Sequence, residues 1–437
     1  MIYGIDASRA FLARRTGIEE YAYQVIRHLR TPLRDERVIL YTRTTLRFEG
    51  GRLRLKRQET DFELPASWKV RSLFAPRFFT HGRLSLEMLL RKPDVLFIPA
   101  HTVPLVHPAR NASRVSRWLS RLLRRCSHPF SNQKESHSDA GGPKKTIVVV
   151  HGLEYEFSKE SYSFWERMYM RGVIRFSVRA AERVIAVSGN TKRDLVRLYG
   201  VSGQKIRVVY EGRPKSNMTS LKSNSRESLE LDFRTDESRK LSIDKPYLLF
   251  IGRIEERKNI SRIIEAFEVL KKRDNISHKL VLVGGKGYGY ERIKKQIERS
   301  PYRDDIIETG YVDEVEKRTL LSGADTFLFP TLYEGFGLPV IEAQEVGIPV
   351  VTSDTSSLPE VAGDAAVLVD PYSADAIADG VRSILSSGDF RDDIIKRGYE
   401  NAKRFDWNTC AAEISALLKG EEQSGTVRTE PKNQRTI

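Results

Sequence analysis

The chain has only two cysteines among its 437 residues, Cys126 and Cys410. Two thiols cannot build a disulfide framework, so the sequence fits a reducing compartment. No apolar run approaches the roughly 18 residues that a membrane-spanning helix needs. Residues 1–6 lack the basic and apolar regions of a signal peptide. These absences predict a cytoplasmic protein, held at most peripherally on the inner face of the cell membrane.

Signatures of common cofactors are also missing. There is no Gly-x-Gly-x-x-Gly fingerprint, which argues against dinucleotide binding. No Asp-x-Asp occurs, which argues against a carboxylate-held metal at a diphosphate. No His and Cys residues have the spacing of a zinc site. The sequence therefore predicts neither a bound cofactor nor a metal.

The charge is positive and unevenly distributed along the chain. The net charge is +15, and residues 1–244 carry 46 Lys and Arg against 26 Asp and Glu. A basic half suggests contact with a polyanion, either anionic lipid or nucleic acid, although it also fits a surface kept only for solubility. A nucleic-acid surface needs aromatic side chains among its basic ones, and the densest basic cluster has only Trp118. Nucleic acid is therefore not an expected partner.

The length exceeds one ordinary core and predicts two domains. The second half alternates strand and helix patterns, with predicted strands at 247–251, 280–283, 306–312, 326–330, 349–352 and 366–369. Helical patterns lie between them at 260–272, 290–299, 315–322, 338–346 and 374–386. Such alternation predicts an α/β fold whose parallel sheet binds ligands at the carboxyl ends of its strands.

The first half alternates less regularly but indicates a second α/β unit. Its predicted strands are 1–5, 38–41, 95–98, 147–150 and 183–187, and its predicted helices are 19–29, 163–181 and 191–199. The predicted domains are 1–214 and 245–404. A polar, Ser- and Lys-rich linker at 215–244 joins them, and a tail at 420–437 is expected to be disordered.

A basic insertion at 110–142 interrupts the first domain. Within 112–125, apolar residues recur with helical spacing at Val115, Trp118, Leu119 and Leu122, while arginines occupy the rest. A short cationic amphipathic helix with tryptophan on its apolar face is typical of an anchor on anionic membranes. The other interpretation is a helix that packs on the domain with its arginines in water.

Residues 333–342 form the most informative stretch. A glycine loop follows the strand pattern 326–330 and leads into a helix that Pro339 opens. Glycines let backbone N–H groups approach an anion, and a helix N-terminus attracts it, so the loop suits a phosphate. Glu334 and Glu342 flank this loop and would repel a phosphate unless they bind hydroxyl groups. The combination predicts a nucleotide-sugar site.

A second motif, 252–259, follows the first strand of the second domain. Its Gly252 is followed by Arg253 and Lys258, which lie before a helix at the expected ligand edge. A planar guanidinium and an ammonium can together neutralise a diphosphate. If the diphosphate leaves during transfer, these cations act where negative charge develops.

Two positions of the first domain are candidates at that domain's own ligand edge. Gly17 stands before the first helix and could let backbone approach a ligand, although a plain strand–helix turn explains it as well. His151 follows the strand 147–150 and could donate to a sugar hydroxyl or be an ordinary loop residue. His101 follows another strand and is a weaker candidate.

These motifs resemble the retaining glycosyltransferases of sequence family four, which have the GT-B fold of two Rossmann-like domains facing across a cleft. The resemblance covers nearly the whole chain and is most specific in the paired glutamates of 334–342. Other shared segments are 6–8, 16–18, 94–99, 187–188, 252–259, 284–285 and 310–312. The segment 405–407 resembles the family's closing segment, which implies that a helix at 405–419 returns to the first domain.

The resemblance implies a role for each candidate residue. Four residues are expected to be catalytic: Glu334, Arg253, Lys258 and His151. The residues expected to bind the donor are Gly17, Gly252, Tyr311, Val312, Gly335, Phe336, Gly337, Leu338 and Glu342. Of these residues, Arg253 and Lys258 would bind the diphosphate together with the backbone at 337–338.

The resemblance also distinguishes the two glutamates. Glu342 would bind the ribose hydroxyls, and Glu334 would hold the transferred sugar. The backbone at 311–312 would lie near the base, and His151 would lie beside the donor sugar. Many relatives have an aspartate after this histidine, whereas this chain has Gly152, which leaves the handling of the acceptor open.

The implied activity is transfer of a hexose, of the mannose or glucose type, from a GDP- or UDP-sugar to a glycan or lipid-linked acceptor of the cell envelope. Retention is expected to proceed by front-face transfer, because both glutamates are committed to hydroxyl groups. The alternatives are a catalytically inactive GT-B module that binds sugar nucleotides and, from the charge alone, a nucleic-acid-binding protein.

Overall fold

The computed structural model describes residues 1–12, 15, 17–43, 45–49, 52–55, 58–73, 79–104, 145–158, 161–213, 229–231 and 241–421. The predicted insertion at 110–142, with its candidate anchor helix 112–125, lies outside the described residues. Nearly all of the predicted tail 420–437 also lies outside them. The described part contains two large parallel sheets with helices on their faces.

The first half forms a seven-stranded parallel sheet. In chain order its strands and those of a small antiparallel sheet are β1 Ile2–Asp6, β2 Arg37–Thr42, β3 Arg47–Glu49, β4 Arg52–Leu55, β5 Gln58–Glu63, β6 Trp68–Ser72, β7 Val95–Ile98, β8 Lys145–Val150, β9 Arg183–Ala186 and β10 Ile206–Val208. The large sheet has the order β10-β9-β8-β7-β1-β2-β6, and β3 to β5 form the small one. Every residue of β7 is buried, as expected for a parallel strand covered on both faces.

In the described part of this half, the α-helices beside the sheet are α1 Gly17–Leu29, α2 Ser85–Leu90, α3 Glu154–Phe157, α4 Phe164–Ala180 and α5 Gly189–Tyr199. Local sequence explains where the longer ones begin and end. Ser163 and Glu166 form a reciprocal capping box at the start of α4. The side chain of Ser188 caps α5, and Gly200 ends that helix in the left-handed conformation.

The second half forms a six-stranded parallel sheet. Its strands are β13 Tyr247–Ile251, β14 Lys279–Val283, β15 Ile306–Gly310, β16 Thr326–Phe329, β17 Val350–Ser353 and β18 Val367–Val369. Before them, within the predicted linker, β11 Leu229–Leu231 pairs antiparallel with β12 Leu241–Ile243. The large sheet has the order β15-β14-β13-β16-β17-β18. Since the chain leaves β13 toward one side and returns on the other at β16, a crevice opens at their carboxyl ends.

The helices of the second half are α6 Ile260–Asp274, α7 Tyr290–Arg299, α8 Glu314–Gly323, α9 Leu338–Glu345, α10 Leu358–Ala362, α11 Ala374–Leu385, α12 Gly388–Ala402 and α13 Trp407–Lys419. The last of them packs on α1 of the first half, where Trp407 and Ile414 join that half's core. Gly212 lies against this helix so closely that a Cβ there would be 2.3 Å from the backbone nitrogen of Trp407. Helix α13 therefore connects the second half to the first through its packing on α1.

Both sheets match the fold class expected from the sequence, and most boundaries differ from the predicted ones by one or two residues. The sequence patterns miss β6, which extends the first sheet beyond β2, and the long helix α12. Among the described helices, none is long and apolar enough to cross a membrane.

Candidate functional site

The candidate site lies at the carboxyl ends of β13 and β16, which are neighbours in the second sheet. After β13 the chain makes a short turn, Glu256–Lys258, and then begins α6. Asn259 has a left-handed φ of 63° there, and its Nδ2 donates to the carbonyl oxygens of Pro330 (2.9 Å) and Pro371 (2.6 Å). These bonds fix the turn against the segments that follow β16 and β18, and so bring its basic side chains to the glycine loop 333–338.

Glu334 is the carboxylate that these basic side chains bind. Lys258 Nζ lies 2.5 Å from its Oε1, and Arg257 Nη1 lies 3.2 Å from the same oxygen. Burial acts to raise the pKa of Glu334, but Lys258 and Arg257 outweigh it and hold that pKa below its ordinary value. Burial also lowers the pKa of the Lys258 ammonium, against the attraction of Glu334. The site thus holds an ionised carboxylate, which accepts hydrogen bonds from hydroxyl groups well.

Arg257 organises this corner, and the sequence analysis gives it no role. Its guanidinium also donates to the carbonyl oxygen of Tyr333 (2.9 Å) and to Glu255 (2.8 Å). Burial opposes its charge, but Glu334, Glu154 and Glu255 raise the pKa of Arg257 above its ordinary value. Arg257 therefore ties the end of β13 to the start of the glycine loop and shares in neutralising Glu334.

Arg253 differs from its basic neighbours because its side chain is exposed at the same edge. No ion pair or hydrogen bond to its guanidinium is found within the described ranges of the chain. Its Cγ and Cδ would each lie 2.7 Å from a Cβ at position 287, so the glycine there makes room for the arginine stem. The stem is positioned by packing, and the guanidinium is left to meet an anion.

The glycine loop is held by serines on its own domain. Ser357 Oγ donates to the carbonyl oxygens of Glu334 (2.9 Å) and Phe336 (2.6 Å). Gly337 has a φ of 119°, which side chains rarely adopt, and α9 begins immediately after it with Pro339 in its first turn. The N-terminus of α9 therefore directly follows the glycine loop, and binding of a phosphate there stays a prediction.

The first domain closes over this loop through several direct hydrogen bonds. Ser188 Oγ and Thr191 Oγ1 both donate to the carbonyl oxygen of Gly335, at 2.7 and 3.2 Å. Tyr333 inserts beside them, where its hydroxyl donates to Asp194 (3.0 Å) and accepts from the Leu153 N–H (3.3 Å). The structure therefore shows the crevice edge of one domain in contact with the other.

A third contact uses Glu360 at the end of the second domain's crevice. Its carboxylate accepts from the N–H groups of Gly189 (2.7 Å) and Asn190 (3.1 Å), which open α5 of the first domain. A carboxylate at a helix N-terminus gains from the dipole there. Because Glu360 and Gly189 belong to different domains, this bond is a direct contact between the two.

Comparison with known proteins now decides the family. The model of glycosyl transferases group 1 matches residues 233–401, and the model of glycosyltransferase family 4 matches residues 126–214. These two models, one in each half of the chain, identify the protein as a glycosyltransferase. The family resemblance drawn from the sequence is therefore confirmed, and so is the assignment of the protein as a glycosyltransferase.

Relatives and solved structures agree with this family and fold. The chain is 29% identical over 345 residues to O-antigen chain mannosyltransferase B of Escherichia coli, covering 78% of this chain and 83% of that one. Sucrose-phosphate synthase of Thermosynechococcus elongatus superposes with a TM-score of 0.65 at 19% identity, covering 96% and 98% of the two chains. Anabaena HepE in complex with UDP and glucose superposes at 0.60 and 15%, covering 96% and 99%. The fold of the glycosyltransferase is GT-B.

In this glycosyltransferase the second glutamate of the pair already has a protein partner. Glu342 accepts from Lys317 Nζ at 2.9 Å, and the same ammonium lies 3.1 Å from Glu314. Burial opposes the charge on Lys317, but the two carboxylates raise its pKa above the ordinary value. Lys317, which the sequence analysis does not single out, therefore holds the Glu342 carboxylate in an ion pair.

His151 is placed at the domain junction, but its ring faces the interior of the first domain. Nε2 lies 3.0 Å from the carbonyl oxygen of Pro99, and Nδ1 lies 3.4 Å from Glu211. The ring also packs edge to face on Tyr21, with 4.5 Å between the centroids. Both nitrogens thus lie next to oxygen atoms of the first domain. The predicted hydrogen bond from this ring to a sugar hydroxyl would require the ring to leave one of these neighbours. Its carbonyl oxygen, in contrast, borders Gly335.

Four other positions predicted to bind the donor follow strands or open a helix. Tyr311 is 64% exposed and Val312 is buried, directly after Gly310 with its left-handed φ of 74°. Gly252 ends β13 with a φ of 157°. Gly17 opens α1, with no atom within 4 Å of the place where its Cβ would be. Among the described residues, no three His, Cys, Asp or Glu side chains could together hold a metal ion.

Glu154 is a further carboxylate of the cleft that sequence reasoning misses. Its Oε1 would lie 3.0 Å from a Cβ at Gly152, and that Cβ would also lie 3.0 Å from the Cα of Gly335 in the other domain. The half-buried Glu154 raises the pKa of the Tyr333 hydroxyl, after the larger effect of burial and that of Asp194. Within the described ranges its carboxylate has no hydrogen bond or ion pair. The glycine at position 152 therefore leaves room for a carboxylate that comes from two residues later.

Proposed function

We propose that this glycosyltransferase moves a hexose of the mannose or glucose type from a GDP- or UDP-sugar to a hydroxyl group of a glycan or lipid-linked acceptor. The observation that carries the proposal is the Glu334 carboxylate, held ionised by Lys258 and Arg257. The guanidinium of Arg253 is exposed at the same sheet edge and has no partner among the described residues. Mannose is favoured because the relative that is 29% identical is named a mannosyltransferase. The same relative supports a place in cell-envelope polysaccharide synthesis.

The donor would occupy the crevice between β13 and β16. Arg253 and Lys258 would bind its diphosphate together with the first N–H groups of α9. Glu342 would accept from the ribose hydroxyls, and Glu334 would accept from hydroxyls of the transferred sugar. The two cations supply the positive charge at the diphosphate, so the proposal includes no metal.

The proposed reaction retains the configuration of the donor. The bond from the sugar's C1 to the oxygen of the β-phosphate breaks, and the acceptor oxygen forms a bond to C1 from the same face. The acceptor's proton passes to the departing phosphate oxygen, so no protein carboxylate is needed as nucleophile. Arg253 and Lys258 stabilise the negative charge that grows on the leaving diphosphate. Closure of the two domains keeps water from the donor.

A screen of nucleotides and their sugars by thermal unfolding tests this proposal directly. One of the GDP-, UDP- or ADP-sugar pairs is expected to stabilise the protein by roughly 2.7 kcal/mol at 100 times its dissociation constant. The best donor should then be hydrolysed slowly, and a metal chelator should leave that rate unchanged. If a nucleotide binds but its sugar is neither transferred nor released by hydrolysis, the protein is the inactive sugar-nucleotide-binding module instead.

Glu154 is proposed to accept from the acceptor's hydroxyl group, because it approaches the donor loop from the first domain. Glu154→Gln is expected to raise KM for the best acceptor in a panel of manno-oligosaccharides by roughly tenfold or more, the range for losing one charge-assisted hydrogen bond. Donor hydrolysis, in which water replaces the acceptor, should be unchanged. Transfer kinetics with each substrate varied in turn measure the difference.

The matched control is Glu156→Gln, because Glu156 lies on the same short helix but its carboxylate already accepts from Arg171 and Tyr199. This control should change stability more than acceptor KM. A Glu154→Gln variant that instead raises donor KM would place the carboxylate at the donor sugar and contradict the assignment.

A lipid-linked acceptor would determine where in the cell the protein acts. We expect the protein to act on the cytoplasmic side, peripherally on an anionic membrane, since a lipid-linked acceptor is confined there. Contact through 112–125 stays a prediction from sequence, because that segment lies outside the described residues.

A further inference from the structure

Helix α4 presents an unusual outer face in the first domain. Four large apolar side chains in its first two turns are exposed: Phe164 by 65%, Trp165 by 78%, Met168 by 49% and Tyr169 by 57%. Single exposed apolar residues are ordinary, but a contiguous exposed group marks an interaction surface. The opposite face of the helix carries its buried residues, from Val173 to Val178.

The helical spacing extends this face toward the carboxyl end of α4. At 100° per residue, Arg175 and Arg179 lie on the same side as Trp165 and Met168. Both arginines are exposed, and Gly172 between the two groups has open space around it. The only acidic residue in the helix, Glu166, is used in the capping box at its start. The face therefore combines aromatic and apolar groups with cations and carries no carboxylate.

We propose that this outer face of α4 docks on an anionic lipid bilayer. Tryptophan, tyrosine and methionine suit the boundary between headgroups and acyl chains, and arginines on the same face attract acidic headgroups. A glycan would need hydrogen-bonding groups around the tryptophan, which Phe164 and Met168 do not offer. The complementary charge of Arg175 and Arg179 favours an anionic lipid surface over an uncharged apolar partner.

The position of α4 relates this surface to the cleft. Arg167 Nε donates to the carbonyl oxygen of Tyr155 (3.2 Å), and Arg171 Nε donates to Glu156 (2.8 Å). These bonds fix α4 on α3, the helix that Glu154 opens at the cleft. A bilayer on the outer face of α4 would lie beside the acceptor side of the cleft, where a lipid-linked acceptor must enter.

The docking surface rests on the membrane location proposed above, and vesicle sedimentation without any sugar nucleotide tests it separately from the proposed transfer reaction. The natural chain is expected to bind vesicles of phosphatidylcholine and phosphatidylglycerol, and to bind phosphatidylcholine alone much more weakly. The double variant Trp165→Glu/Met168→Glu should lose roughly tenfold or more in partitioning. Replacing Arg175 and Arg179 by glutamine should each cost roughly fivefold on the anionic vesicles only.

The matched control is Tyr372→Glu, an aromatic residue of the second domain that is 62% exposed. It should bind vesicles like the natural chain, and equal unfolding temperatures show that the double variant is folded. Deleting 112–125 in parallel separates the two membrane segments. Equal binding by the natural chain and the double variant would overturn the proposal, as would binding to an unidentified protein but to neither type of vesicle.

Fluorescence quenching gives a second, local readout. Of the four tryptophans, Trp68 and Trp407 are buried and Trp118 can be replaced by phenylalanine, so Trp165 reports alone at the surface. Insertion into anionic vesicles should shift its emission to shorter wavelength, and brominated lipids in the same vesicles should quench it. Vesicle binding that leaves Trp165 unquenched would show that another surface makes the contact, and would contradict the proposal.

Discussion

Arg253→Ala is expected to lower turnover by on the order of 10²- to 10³-fold, the range for losing one group that stabilises transition-state charge. The guanidinium has no hydrogen bond or ion pair with any described residue, so the loss cannot come from a broken internal contact. The unfolding temperature without ligand should therefore stay close to that of the natural chain. Steady-state kinetics with the best donor, together with thermal unfolding, measure both effects.

Arg303→Ala is the matched control for Arg253. Arg303 is also exposed, but it precedes β15 and pairs with its neighbour Asp304. It should change neither turnover nor donor binding. Lys258→Ala should lower turnover similarly but also lower stability, because Lys258 is bonded to the buried Glu334. Near-normal turnover in both Arg253→Ala and Lys258→Ala would show that these cations do not assist the leaving group.

Gly335→Ala is expected to abolish most transfer, by about 10²-fold or more, the cost of misplacing reacting groups by about 1 Å. A Cβ at this position would lie only 1.6 Å from the carbonyl oxygen of His151 and 3.0 Å from the Cα of Gly152. Both of those residues belong to the first domain, so the overlap opposes closure and leaves the second domain's own fold intact. Nucleotide binding should survive, because its proposed contacts lie on the second domain.

The contrast between transfer and nucleotide binding makes this variant informative. Gly388→Ala serves as control, since no atom lies within 4 Å of a Cβ there. Thermal unfolding with and without nucleotide should show the same stabilisation in both variants. If Gly335→Ala transfers sugar at the natural rate, the closed contact between the loop and His151 is not part of the reaction.

Much of the second domain follows from its sequence, because each strand and helix there is defined by local patterns. The strand at 247–251 and the helix at 290–299 have the bounds that hydrophobic spacing predicts. The sequence also predicts that the two motifs at 252–259 and 333–342 lie close together in the fold. In a doubly wound sheet, glycine turns that follow strands open toward the same edge.

The contacts across the cleft could not be predicted in the same way. Glu360 meets the start of α5 across 171 residues, and Ser188 meets Gly335 across 147. Nothing local to either partner indicates the pairing. The surroundings of His151 are a similar case. Its position after a strand suggests either a donor to a sugar hydroxyl or a loop residue, and does not reveal that oxygen atoms 52 and 60 residues away lie beside its two nitrogens.

Glu154 and the outer face of α4 illustrate two other limits of sequence. Glu154 reaches the cleft because Gly152 has no side chain, and a departure from a family motif does not show which residue fills the space. The helix at 164–180 is predicted nearly to its ends, but its pattern does not reveal that Trp165 stays uncovered. Exposure depends on which neighbours pack against the helix.

The anomeric configuration of the sugar that the protein releases tests transfer with retention most directly. The protein is incubated with α-linked donors, GDP-mannose and UDP-glucose among them, and proton NMR observes the sugar before it mutarotates. Front-face transfer predicts an α-sugar from at least one donor, formed far more slowly by Arg253→Ala. A β-sugar would contradict retention by front-face transfer, and no release or transfer from any donor would contradict the proposed activity itself.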